Sequence, residues 1–193
     1  MADTGIKNIK KTAIFMADGC EEIEGLTVVD LLRRAGIEID MIAIKDIKDG
    51  LQVRGSHGIA FEADKNITEI NLQEYDGIIL PGGMPGTNYL KADSRVRNAV
   101  IEFNQAGKLV AAICAAPTVL GDCGILNGKN AICYPGLEEK LTGANIVTQS
   151  VVKDGNMITS RGMGTAIEFG LAIIAYFLGQ EQADDMARKI VFN

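Results

Sequence analysis

The chain has 193 residues, 47% of them hydrophobic and 23% charged, with a formal net charge of −6. That is enough apolar chain for one domain with a sizeable core, expected over residues 1–193 with a flexible N-terminal extension at 1–10. No Lys/Arg-rich stripe opposes the acidic balance, which excludes a general nucleic-acid or anionic-membrane binder and leaves small molecules or proteins as partners.

The N-terminal MADTGIKNIKK is polar and lacks the apolar centre of a signal peptide, and TAIFMA after it is too short to export or anchor the chain. Short apolar runs rich in Ile and Val then alternate with helix-period segments. In chain order they are KTAIFMA (strand), EGLTVVDLLRRAG (helix), EIDMIAI (strand), YDGIIL (strand), SRVRNAVIEFNQAG (helix), KLVAAI (strand) and APTVLGDCG (helix). The rhythm predicts a parallel sheet covered by helices, with near-continuous apolar strands such as Ile78 to Leu80 and Leu109 to Ile113 buried on both faces. GLQVRGSHGIAFEAD reads as a short hairpin or edge element with turn glycines at Gly50, Gly55 and Gly58, and Gly36, Gly107 and Gly179 punctuate helix ends.

The longest apolar stretch, AIEFGLAIIAYFLG, carries Glu168 and two glycines and falls short of a membrane span, so a cytoplasmic protein is expected. The four cysteines, Cys20, Cys114, Cys123 and Cys133, show neither CxxC spacing nor the density of a secreted disulfide scaffold and read as reduced thiols. No zinc site is legible, and no metal or cofactor is expected. His57 is the only histidine, which excludes acid–base schemes that need two.

In an open parallel sheet, ligands collect beyond the carboxyl ends of the strands, where the topology switches direction. Three loops qualify: ADGCEEIE, PGGMPG and CAAPT. Cys114 follows its strand directly and precedes a helix pattern, so the turn would project its sulfur at the sheet edge while the helix N-terminus favours thiolate. The same position also suits a small buried hydrophobe. Glu21, Glu22 and Glu24 complement a helix dipole as a set, and one of them, turned inward, can share a proton with Cys114. Gly82 and Gly83 either form a plain turn or present backbone N–H groups to a developing oxyanion. His57 reads as a surface loop residue that reaches a site only across a symmetry mate.

Together GCEEIE, LPGG, AAICAAPTVL and TSRGMGTAIEFGLAII resemble the successive signatures of the ThiJ/PfpI superfamily, and within it the branch of the Parkinson's-associated deglycase and its bacterial relatives. The likeness runs from about Lys11 to the final helix. It implies a flavodoxin-like three-layer α/β sandwich with a mainly parallel sheet, of the class I glutamine amidotransferase-like kind, and a homodimer. Cys114 matches the nucleophilic, oxidation-sensitive cysteine and Glu24 the acid hydrogen-bonded to it; Gly83 and the backbone of Ala115 match oxyanion-binding positions, and Arg161 and Gly162 the SRG segment near the site. Where many members carry a His-Pro pair, this chain has Tyr134 before Pro135, and tyrosine, with a pKa near 10, is a poor general base at neutral pH.

The leading expectation is a cofactor-independent glyoxalase III or deglycase-type enzyme acting on methylglyoxal, glyoxal or their early adducts. A redox-sensing or chaperone protein using the same cysteine is the alternative. A cysteine peptidase or amidase is disfavoured by Tyr134, and PGGMPG matches neither a P-loop nor a dinucleotide fingerprint. Cys20 is close enough in sequence to Glu24 to leave a resolving role open.

Overall fold

The computed structural model describes residues 9–192. Its strands are β1 Lys11–Met16, β2 Glu38–Ala43, β3 Gln52–Arg54, β4 Ala60–Glu62, β5 Lys65–Asn66, β6 Gly77–Leu80, β7 Leu109–Ile113, β8 Asn130–Ala131, β9 Asn145–Ile146, β10 Val151–Asp154 and β11 Met157–Ser160. The helices are α1 Glu22–Arg34, α2 Gly86–Ala92, α3 Ser94–Gln105, α4 Pro117–Asp122, α5 Ala166–Leu178 and α6 Gln180–Lys189. Of the expected N-terminal extension, residues 1–8 lie outside the described residues, while Lys10 already pairs, its carbonyl accepting the Glu38 N–H at 2.9 Å.

Seven strands form one sheet in the order β10-β11-β7-β6-β1-β2-β5, parallel throughout except for β10 against β11. From β1 the chain first builds outward through β2 to β5, then crosses to the other side of β1 with β6, which places the topological switch between β1 and β6. This is the predicted three-layer α/β sandwich. Alternation along each buried strand divides the core in two. Ala13, Phe15, Ile78, Leu80, Val110 and Ala112 pack beneath α2, α3 and α4 through Leu90, Val96, Val100, Phe103 and Val119. Ile14, Met16, Ile79, Leu109, Ala111 and Ile113 pack beneath α1, α5 and α6 through Val28, Leu32, Phe169, Ile173 and Met186. Both faces of β1, β6 and β7 are dry because both carry helices, which is why those strands read as unbroken apolar runs.

The segment 52–62 is the expected hairpin, but it stands as its own two-stranded sheet of β3 and β4 and not as an edge of the central sheet, whose edges are β5 and β10. α4 is a single short helix of six residues. α5 is apolar along its length and ends at Gly179, and no helix among the described residues is long and apolar enough to cross a membrane.

Candidate active site

The carboxyl ends of β1, β6, β7 and β11 converge on Cys114. Its φ is +64°, a left-handed conformation unfavourable for a side chain with a Cβ. Two backbone hydrogen bonds hold it there: the Cys114 N–H donates to Ser160 O at 2.9 Å, and Cys114 O accepts from the Tyr134 N–H at 2.7 Å. The turn lifts the sulfur off the sheet and leaves it half-buried, while Ala111, Ala112 and Ile113 behind it are fully enclosed.

Glu24 sits in the first turn of α1 and is only 1% exposed. The N-cap residue Glu21 accepts the Glu24 N–H at 2.7 Å and so starts the helix, the structural duty expected of it. The Glu24 carboxyl is turned inward. Its Oε2 accepts the Gly82 N–H at 2.9 Å; its Oε1 is buried with no nitrogen or oxygen donor and is left to the thiol of Cys114. Both groups border Gly162, where an added Cβ would lie 3.9 Å from Cys114 Sγ and 4.0 Å from Glu24 Oε1.

The glycines of PGGMPG are there because nothing larger fits. A Cβ on Gly82 would sit 2.6 Å from both Cys114 Cβ and Glu24 Oε2, and one on Gly83, whose φ is +88°, would run into the Cys20–Glu21 backbone. With the loop pressed this close, the N–H groups of Gly83 and Ala115 both donate to the sulfur of Cys114. A partial or full negative charge at or beside the sulfur therefore meets two fixed donors.

Burial pushes the Glu24 carboxyl up to about 7, with hydrogen bonds from Cys114 and Gly82 opposing the rise and the Glu21 charge adding to it. Burial likewise pushes the Cys114 thiol up to about 12, reinforced by the charge and hydrogen bond of Glu24 and opposed by the Ala115 and Gly83 N–H groups. The thiolate expected from a helix N-terminus is thus not favoured while Glu24 is ionised: α4 starts only at Pro117 and is too short to outweigh burial beside a carboxylate. Transferring the shared proton to Glu24 removes that repulsion, so the two groups titrate as a pair.

Glu22, read from sequence only as a helix-dipole residue, is 2% exposed and ties down the β3–β4 hairpin. Its Oε1 accepts the backbone N–H of His57 at 2.8 Å and of Ile59 at 3.3 Å, and its Oε2 lies 2.9 Å from His57 Nδ1. His57, 69% exposed, spends its Nδ1 on Glu22 and not on Cys114, as its surface-loop reading implied. Glu21, Glu22 and His57 offer ligand atoms within 4.8 Å of one another, but these atoms already serve the helix cap and the hairpin tie.

Tyr134 is 53% exposed, its ring beside Gly162, and Arg161 is exposed on the same side. Cys20 is buried with its thiol pushed up to about 12 by burial, then by the Glu22 charge, which disfavours a resolving role. Ser160 and Thr165 escaped sequence reasoning. The Ser160 carbonyl holds the Cys114 N–H, and the Thr165 hydroxyl bonds both the Ser160 hydroxyl at 2.6 Å and the Gly162 carbonyl at 2.8 Å. The TSRGMGT run was the available signal.

The chain matches the DJ-1/PfpI family over residues 10–176. It is 35% identical to protein dj-1beta of Drosophila melanogaster over 184 residues, covering 94% of this chain and 97% of that one. It is 33% identical to the Parkinson disease protein 7 homolog of Danio rerio over 188 residues, covering 95% and 98%. Among solved structures it is similar to a DJ-1 superfamily protein from Salmonella typhimurium, with a TM-score of 0.90 and 32% identity over 96% of this chain and all of the other. With a family match across most of its length and relatives of that identity over nearly whole chains, the protein belongs to the DJ-1/PfpI family.

Proposed function

We propose that the protein is a cofactor-independent enzyme of the glyoxalase III and deglycase type, acting through Cys114 on methylglyoxal, glyoxal or their early adducts. The observation that carries this reading is the half-buried Cys114 sulfur at a left-handed elbow, flanked by the Glu24 carboxyl and facing the N–H groups of Gly83 and Ala115.

As the sulfur attacks the aldehyde carbon of a 2-oxoaldehyde, a C–S bond forms and the carbonyl π pair moves to oxygen, where the two N–H groups receive it. The thiol proton passes to Glu24 and then to that oxygen, giving a hemithioacetal. Glu24 next takes the proton from the former aldehyde carbon and returns one to the adjacent carbon, an isomerisation that yields a thioester of a 2-hydroxy acid. Water cleaves the thioester, releasing the acid and restoring the thiol. A carboxyl poised near neutrality suits these transfers in both directions. The experiment is lactate formation from methylglyoxal by metal-free protein, with folded Cys114→Ala and Glu24→Gln variants; turnover that survives either change sinks the mechanism.

A second reading, redox sensing or chaperoning, is favoured by the same donors, which suit the oxygens of an oxidised sulfur as well as an alkoxide. Absence of turnover with peroxide oxidation confined to Cys114 would select it. A peptidase or amidase lacks support because His57 is engaged by Glu22 and Tyr134 is no general base. We also propose a homodimer, to be checked by sedimentation.

A further inference from the structure

Beside Gly162 the surface forms a shallow open depression lined by Tyr134, Pro135, Arg161, Gly162, Met163 and Thr165. Gly162 is its floor nearest the chemistry: a Cβ there would be 3.9 Å from Cys114 Sγ and 3.5 Å from the Tyr134 ring. The depression therefore opens directly onto the sulfur.

Its two strongest hydrogen-bond donors have nothing to donate to within the chain. Arg33, Arg34, Arg95 and Arg188 are paired with Asp64, Asp30, Asp93 and Asp185 respectively, but among the described residues Arg161 has no carboxylate partner. The hydroxyl of Tyr75 donates to Asp40, whereas among the described residues that of Tyr134 has no acceptor. A guanidinium fork beside a phenolic O–H is a receptor for a carboxylate or similar oxyanion. The opposite wall of the site carries Glu21, Glu22 and Glu24, so the positive charge lies on one side only. An acidic group on the substrate is drawn to the Arg161 side, away from Glu24.

From this arrangement we infer that Tyr134 and Arg161 form an anion subsite, and that the preferred substrates are aldehydes carrying a carboxylate a few atoms from the reacting carbon. The subsite gives Tyr134 a task at the position where many relatives of the chain carry histidine: it orients the substrate and takes no part in proton transfer. The shallow, open depression leaves the remainder of a larger molecule in solvent, which suits a reactive carbonyl carried on an acidic thiol or peptide.

The substrate class rests on the proposed aldehyde chemistry, but the subsite is testable without turnover. Cys114 alkylation is followed by peptide mass spectrometry with iodoacetate and with iodoacetamide at one pH, so that the thiolate fraction cancels from the ratio of rates. Arg161→Gln is expected to lower the iodoacetate:iodoacetamide ratio about threefold, Tyr134→Phe by less, and Arg161→Lys is expected to retain part of it, with the preference shrinking in high salt. A ratio unchanged by Arg161→Gln overturns the inference. The second arm compares methylglyoxal with 4,5-dioxopentanoate, whose addition of water yields 2-hydroxyglutarate. Arg161→Gln should lower kcat/KM for the anionic substrate relative to the neutral one by about fivefold. Failure of the unaltered protein to turn over either substrate, with the alkylation preference intact, removes the enzymatic reading and leaves the subsite standing.

Discussion

The amide of Cys114 and the carbonyl of Ser160 are joined by a 2.9 Å hydrogen bond, the last rung between β7 and the end of β11. The register that pairs Ile113 with Ser160 thus continues one residue into the elbow, and Cys114 is fixed by sheet geometry on one side while its carbonyl is fixed by Tyr134 on the other. A left-handed residue held at both ends keeps its strain whatever side chain it carries.

That strain is measurable. Replacing Cys114 with alanine keeps the Cβ and hence the unfavourable φ, whereas glycine relieves it. Cys114→Gly is expected to be more stable than Cys114→Ala by about 1 kcal/mol despite the greater freedom glycine has when unfolded. Urea unfolding of the two variants side by side provides the comparison; equal midpoints would mean that the elbow is unstrained.

Two glycines at the site should respond oppositely to alanine. Gly83 has φ +88° and a Cβ there meets the Cys20–Glu21 backbone, so Gly83→Ala should destabilise the protein by more than about 2 kcal/mol. Gly162 lies in extended backbone with only ordinary contacts waiting for a methyl. Gly162→Ala should fold normally yet slow alkylation of Cys114 severalfold, because the methyl sits over the sulfur. Thermal melts paired with alkylation rates separate the two cases.

The pH dependence of stability reports on Glu24. Its folded pKa, about 7, lies above the unfolded carboxyl value, so the folded protein binds the proton more tightly. The stability this provides is fully present below the unfolded pKa and is lost as pH rises through the folded one. Chemical denaturation between pH 4 and pH 8 should show this decline, flattened in Glu24→Gln. An unchanged slope in the variant would assign the decline to other groups.

The hairpin tie should have a pH window. Burial works against ionised Glu22, but the His57 side chain and the N–H groups of His57 and Ile59 hold its carboxyl below the usual range, so its contribution is lost as pH falls through that lowered value. Hydrogen bonding to Glu22 raises the His57 pKa, so its contribution is present at low pH and lost as pH rises through the raised value. Amide protection across residues 55–59, corrected for intrinsic exchange, should therefore peak in the weakly acidic range and fall in Glu22→Gln. A flat profile would leave the ion pair without influence on the hairpin.

The layers of the fold were legible where burial is symmetrical. β1, β6 and β7 carry helices on both faces and show it as uninterrupted Ile, Val, Leu and Ala, and Gly36, Gly107 and Gly179 end their helices as read. The short elements α2 and β8 to β11 were not, because two to seven residues cannot display a period. The β10–β11 hairpin had a signal in the Asp154–Gly155 turn, where Gly155 takes φ +61°. At the site, Cys114 and Glu24 were legible as a motif. Glu22 was not, since its partners Ser56, His57 and Ile59 stand more than 30 residues away on a separate hairpin. An acidic residue at a helix start looks the same whether it faces water or holds a loop.

The loops after β1 and β6 meet backbone to backbone: the Glu21 N–H donates to Gly82 O at 2.9 Å and the Gly86 N–H to Gly19 O at 3.0 Å. No side chain stands between them at Gly83 or Gly86 to rotate aside. In mechanical terms the joint is a weld and not a hinge. The carboxyl on α1 and the amides of the PGG turn move as one body relative to the elbow, and a ligand that pushes on either loop displaces both walls of the site together.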